Sequence, residues 1–326
     1  MQSKKMPYLE KEISPIVFGT ANLILAGAAT EMQKKNSRSC GFALLDAAFS
    51  AGINCFDCAA IYGEEILGEW MEQRGIREKI VVISKCAHPN ERRNRVTESD
   101  ILYDIHNTSI KLRSDFIDIY MLHRDDPSVP VSKIVDTMNR LYDARKIGVL
   151  GVSNWTHQRL QEANNYAVRY GLMPFTVSSP HFSLAEQIGN PWVGQCVTLS
   201  GFKNEAARKW YRENNISVFA YSALARGFFS GRFISYETEK AKTILDEAGI
   251  KGYYSADNFE RLRRAEYLAR IKQCTVPQIS LAWLFCQSLV VFPVITSSKE
   301  QHIWDNITAT EIILSDEEVK WLNLEG

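Results

Sequence analysis

Short runs of consecutive apolar, largely β-branched residues recur along the chain at positions 16–19, 53–57, 80–84, 116–122, 148–152, 175–178, 216–220 and 290–295. They read as continuous rather than alternating, the pattern of strands covered on both faces, as in parallel sheets. Between them lie segments with helical spacing, clearest in Val131, Ile134, Val135, Met138, Leu141 and Tyr142, an i, i+3, i+4, i+7 stripe. Each run is therefore expected to be followed by a helix. Thr97 with Asp100, Thr275 with Gln278 and Ser315 with Glu318 have the spacing at which two side chains satisfy each other's first-turn N–H groups, and predict three helix starts.

Eight strands alternating with helices predict an α/β fold, either a closed (β/α)8 barrel or an open doubly wound sheet. No Pro/Gly/Ser-rich linker, solenoid repeat or low-complexity tract divides the chain, so one domain over 1–326 is expected. The stretch 222–257, with Gly227, Gly231 and Gly252, reads as a long irregular loop after the seventh strand, suited to covering a ligand.

Composition narrows the function. The 326 residues are 45% hydrophobic, enough for one large core. Lysine plus arginine equals aspartate plus glutamate at 38 each, so no net field draws the chain to nucleic acid or to an anionic membrane. The N-terminal MQSKKMPYLEKEISPIV has basic residues without a following apolar region, and no stretch approaches membrane-span length, so a soluble, cytoplasmic protein is expected. Seven cysteines between Cys40 and Cys286 fit reduced thiols better than a disulfide framework.

Candidate chemistry gathers at strand ends. Asp57 closes the second run and Tyr62 lies in the loop after it; Lys85 follows the third run and His123 the fourth. Singly, a loop tyrosine is ordinary packing, a strand-end lysine a solvated charge and a lone histidine a satisfied core group. Three ionisable residues at three successive strand ends point to a shared site, because such positions converge at the C-terminal mouth of a parallel barrel. Cys55-x-x-Cys58 would direct its thiols to opposite faces of a strand, and Cys86 with His88 lacks a second ligand pair. No G-x-G-x-x-G follows a strand, and Arg92, Arg93 and Arg95 read as a solvated loop.

The sequence resembles the aldo-keto reductases. The family pattern FD-x-A-x-x-YG-x-E-x-x-LG stands here as Phe56-Asp57, Ala59, Tyr62-Gly63, Glu65 and Leu67-Gly68. Its strand-end lysine and histidine match Lys85 and His123, its fifth-strand end matches Gly151-Val152-Ser153-Asn154, and its segment after the seventh strand matches Ala220–Gly227. The resemblance runs collinearly from about Ile16 to Asn306.

That resemblance implies a single (β/α)8 TIM barrel with a C-terminal helix, and a nicotinamide cofactor lying extended across the C-terminal mouth. The implied reaction is reduction of a small-molecule carbonyl to the alcohol. Tyr62 is the implied proton donor, with Lys85 stabilising its phenolate, Asp57 holding Lys85 charged and His123, as a neutral ring, orienting the carbonyl. Cofactor contacts carry over onto Thr20, Asp57, Ser153, Asn154, Ser179, Tyr221, Ser222, Leu224 and Arg226, and onto Thr296, Ser297, Ser298, Lys299, His302 and Asn306. Tyr221 matches the aromatic that stacks under the nicotinamide, and Ser179 replaces the usual glutamine. With Lys299 as the obvious cation for a 2′-phosphate, NADPH is the expected cofactor and NADH the alternative. Asn22, Tyr62, His123 and Trp155 are the expected substrate contacts, with Leu23, Ile61, Trp192 and Arg226 as further specificity candidates. Two other readings stand beside the reductase: a dinucleotide-binding sensor subunit with little turnover, and an aldolase or isomerase using Lys85 as a Schiff-base nucleophile.

Overall fold

The computed structural model of the chain describes residues 2–23, 31–192 and 194–325, the side chains of residues 31–36 excepted. Its strands are β1 (Val17–Gly19), β2 (Cys55–Asp57), β3 (Val81–Cys86), β4 (Ile117–Leu122), β5 (Ile147–Ser153), β6 (Val177–Ser179), β7 (Ser217–Ala220) and β8 (Val291–Ile295). Neighbours from β1 to β6 pair in parallel, as do β7 and β8. The sheet closes into a barrel in the order β1 to β8, which decides between the two folds that periodicity left open. Every residue of β3 and β4 is buried, which is why these strands read as unbroken apolar runs.

Twelve helices occur among the described residues: α1 (Glu31–Ser50), α2 (Glu64–Arg74), α3 (Glu98–Leu112), α4 (Val131–Asp143), α5 (His157–Arg169), α6 (Glu205–Glu213), α7 (Thr238–Ile244), α8 (Glu247–Tyr253), α9 (Ala256–Ile271), α10 (Val276–Phe285), α11 (Glu300–Ile307) and α12 (Asp316–Leu322). The three expected helix starts form. Asp100 accepts from the Thr97 backbone N–H at 3.3 Å and Thr97 Oγ1 from the Asp100 N–H at 3.4 Å, opening α3. Gln278 accepts from the Thr275 N–H at 2.6 Å before α10, and Ser315 and Glu318 exchange bonds of 3.2 and 2.8 Å before α12.

The expected irregular stretch 222–257 is irregular over 222–237, apart from a single 3-10 turn at Ala225–Gly227, and helical beyond it, holding α7, α8 and the start of α9. Each of the first two has only seven residues, too few to show a period, and tertiary contacts fix them. Tyr254 Oη donates to the Thr238 carbonyl of α7 at 3.2 Å, the Ile188 N–H donates to the Gly252 carbonyl of α8 at 2.9 Å, and Asp246 caps α8 by accepting from the Gly249 N–H at 2.8 Å.

Backbone packing divides the chain into two compact units, Gln2–Ser179 with Thr296–Ile303 and Pro180–Ile295 with Trp304–Gly326. The first holds β1–β6 and α1–α5 around a core in which the Phe56 ring lies 6.2 Å from Phe18 and 5.1 Å from Trp70. The second holds β7 and β8, where Phe219 and Phe292 stack at 5.0 Å.

Candidate active site

The first unit assembles Asp57, Tyr62, Lys85 and His123 from the C-terminal ends of β2, β3 and β4. Alternation along β3 sets the directions: Ser84 turns outward to bond Glu64 at 2.6 Å, so Lys85 turns inward. Lys85 does not leave the core as a solvated strand-end charge would. It is 4% exposed and lies inside β3, where its ammonium forms an ion pair with Asp57 and donates to the Cys58 carbonyl at 3.0 Å and to Tyr62 Oη at 2.9 Å. Tyr62 in turn donates to Asp57 Oδ2 at 3.3 Å.

The loop carrying Tyr62 is stitched to its surroundings. Ala59 and Tyr62 exchange backbone bonds of 2.9 and 2.8 Å, and the Ala60 N–H reaches the Lys85 carbonyl at 3.0 Å. Gly63 takes φ 74°, and a Cβ there would lie 1.8 Å from Thr20 Oγ1, so only glycine fits this turn. Thr20, 2% exposed, sends both its N–H and its hydroxyl to the Asp57 carbonyl, each at 2.9 Å.

Electrostatics give the groups distinct protonation states. Burial alone would lower the Lys85 pKa, but the Asp57 carboxylate and the Tyr62 oxygen more than offset it, and the ammonium is held above the ordinary lysine range. Burial and the Asp57 charge push the Tyr62 phenol up, outweighing the opposing pull of Lys85, so the hydroxyl keeps its proton. Burial, reinforced by the charges of Lys85 and Arg124, pushes His123 well below the ordinary histidine value, leaving a neutral ring. That ring stands edge-on to Tyr62, centroids 6.1 Å apart, and its Nδ1 is buried without a hydrogen-bond partner. A protonated phenol already accepting from a permanent ammonium can release a proton and have the resulting charge met in place.

The remaining expected residues fall as follows. At the ends of β5 and β6, Ser153 Oγ donates to the Ser179 carbonyl at 2.9 Å and accepts from Asn154 Nδ2 at 3.1 Å. All three are buried, and Asn154 sits in the left-handed region at φ 57°. Thr296, Ser298, Lys299 and His302 are exposed at the entry to α11, where Ser297 accepts from the Lys299 N–H at 3.1 Å; Asn306 is buried farther along that helix. In the second unit, Tyr221, Ser222 and Leu224 are partly exposed after β7. Arg226 lies over the Trp192 ring at 4.1 Å; its Nε donates to both Asp246 oxygens at 2.8 Å, and its Nη2 lies 2.6 Å from Oδ2. Asn22 is exposed and Ile61 55% exposed, whereas Leu23 and Trp155 are buried; Trp155 packs 6.0 Å from Phe175. Arg93 and Arg95, expected in a solvated loop, pair with Asp100 at 2.7 Å and Asp104 at 2.6 Å.

Two residues escaped the sequence reading. Glu64, not Glu65, is the buried carboxylate of the Tyr62 loop: it accepts from Ser84 at 2.6 Å and Thr108 at 2.7 Å, whereas Glu65 reaches Arg38 at the surface. The signal was present, since Glu64 shares a helical face with Leu67, Gly68 and Met71. His88, set aside for want of metal-ligand spacing, packs its ring 4.9 Å from that of His123.

The chain is similar along most of its length to known proteins. The chain is 28% identical to the aldo-keto reductase yakc [NADP(+)] of Schizosaccharomyces pombe, covering 89% of this chain and 83% of the relative. It is 24% identical to the aryl-alcohol dehydrogenase [NADP(+)] of Phanerodontia chrysosporium, with 88% and 76% covered, and 25% identical to norsolorinic acid reductase B of Dothistroma septosporum, with 96% and 78% covered. The model of the Aldo/keto reductase family matches residues 15–323, and the chain belongs to that family.

Proposed function

We propose that this protein is an NADPH-dependent oxidoreductase that reduces the carbonyl of an aldehyde, ketone or keto-sugar to the alcohol, reversibly, with Tyr62 as the proton donor. The observation that carries the reading is the Tyr62–Lys85–Asp57 cluster, in which the ammonium touches both the phenol and the carboxylate. Two of the relatives carry NADP(+) in their names, and the donor set suits that cofactor. Ser153, Asn154 and Ser179 offer hydroxyl and amide groups for a carboxamide, and Thr296, Ser298 and Lys299 offer hydroxyls and a cation at a helix entry for a phosphate. Bound there, the reduced nicotinamide supplies hydride to the carbonyl carbon.

The chain's own residues handle the oxygen. Tyr62 turns its hydroxyl from Asp57 to the substrate oxygen and gives up its proton as negative charge develops there. Lys85 already donates to the phenol oxygen at 2.9 Å, so the phenolate forms beside a fixed cation without reorganisation. Asp57 keeps that cation charged and aimed, and Thr20 holds the Asp57 backbone. His123, neutral, donates to the carbonyl oxygen and orients it. The deciding experiment is oxidation of NADPH and NADH against a panel of aldehydes, ketones and keto-sugars. Turnover with NADPH is expected; dinucleotide binding with no turnover on any carbonyl would point to a sensor subunit instead.

A further inference from the structure

The loop after β3 is built to hold His88 beside the catalytic histidine. Ala87 adopts φ 61°, a left-handed conformation costly for a residue with a Cβ and one that concentrates at functional sites. The surroundings enforce it: the Ala87 N–H donates to Asp104 Oδ2 at 2.9 Å. Arg95 then clamps the same carboxylate at 2.6 Å and reaches the His88 carbonyl at 3.4 Å. The result is a half-buried His88 whose ring meets that of His123 at 70°, centroids 4.9 Å apart. Its Nδ1 lies 2.8 Å from the Pro89 carbonyl. A carbonyl only accepts, so Nδ1 carries the proton and the neutral ring has its lone pair on Nε2. Burial keeps this ring's pKa below the ordinary histidine value, so that lone pair persists near neutrality.

His88 thus brings an acceptor nitrogen next to the ring of His123, which itself stands edge-on to Tyr62. We propose that His88 determines specificity by accepting a hydrogen bond from a hydroxyl on the carbon next to the reacting carbonyl, making α-hydroxy ketones and α-hydroxy aldehydes the preferred substrate class. This rests on the carbonyl-reduction reading above. A substrate lacking the hydroxyl leaves a partly buried acceptor unpaired, which is how a polar site discriminates against such an analogue.

The test compares kcat/KM for hydroxyacetone and methoxyacetone by NADPH oxidation; the methyl ether keeps the electron-withdrawing oxygen and removes only the donor. Wild type should favour hydroxyacetone by about fivefold, the scale of one neutral hydrogen bond. His88→Phe should bring that ratio to about one, and His88→Gln, which keeps an acceptor, should restore most of it. A purely structural role for His88 would shift both ketones together and leave the ratio standing. A wild type that prefers methoxyacetone or treats the two alike, or a His88→Phe variant that keeps the preference, overturns the proposal. So does a wild type that oxidises NADPH with 4-nitrobenzaldehyde but with neither ketone. No oxidation with any carbonyl overturns the reductase reading itself.

Discussion

Replacing Lys85 by methionine keeps the unbranched stem and deletes the ammonium. In the native protein that ammonium pairs with Asp57 and bonds the Cys58 carbonyl and Tyr62, with Lys85 4% and Asp57 6% exposed. Without it the carboxylate is left buried with the Tyr62 hydroxyl, 3.3 Å away. Breaking one partner out of a buried ion pair costs about 3–5 kcal/mol, mostly through the orphaned charge. The double variant Lys85→Met/Asp57→Asn removes that charge, and should return to within about 2 kcal/mol of wild type, because a buried pair replaced by neutral groups is often near neutral in stability. Urea unfolding followed by circular dichroism, comparing midpoints at equal slope, measures the cycle. A Lys85→Met loss below about 1 kcal/mol, or a double variant less stable than Lys85→Met alone, would refute a buried, mutually dependent pair. Both variants should also lose turnover, since Lys85 is the cation that touches the Tyr62 oxygen.

Further outcomes follow from particular contacts. Gly63→Ala forces a Cβ to 1.8 Å from Thr20 Oγ1 at φ 74°; it should cost at least about 1–2 kcal/mol in thermal unfolding and roughly 100-fold in kcat, as the Tyr62 loop moves. His181 is fully buried between Thr198 and Ser183, and burial lowers its pKa from 6.5 to about 3. The unfolded chain takes up this proton below about pH 6.5 and the native protein does not, so the stabilisation is complete above that pH and is lost as pH falls toward 3. Between pH 7 and pH 5 the loss is about 2 kcal/mol. His181→Gln should show a correspondingly smaller fall between those two pH values in urea unfolding; an equal fall would rule out a buried neutral histidine.

The barrel was legible because its strands are buried on both faces: the apolar runs at 80–84 and 116–122 reappear as β3 and β4, shifted at their ends by one or two residues. Helix starts were legible where two side chains three positions apart could cap each other, as at Thr97 and Ser315. Local sequence could not reveal α7 and α8, which are tied down by Tyr254 on the Thr238 carbonyl, by Ile188 on the Gly252 carbonyl and by the Asp246 cap. The same limit hid the engagement of Arg226, whose partner Asp246 lies 20 residues away. The catalytic candidates were visible as strand-end charges, but their roles came from resemblance. What geometry added is the inward direction of Lys85, the burial that keeps His123 neutral and the contact of His88 with its ring.

The proposed reduction depends on Tyr62 delivering the proton. Tyr62→Phe removes one oxygen and leaves Lys85 paired with Asp57, so the fold and dinucleotide affinity should be unchanged. Turnover of a carbonyl substrate should fall by about 10²–10⁴-fold, the usual contribution of a positioned general acid. The measurement is kcat for NADPH oxidation beside NADPH binding by fluorescence titration, on wild type and variant together. Unchanged binding with that loss of kcat is the predicted result; wild-type turnover by Tyr62→Phe would contradict the assignment.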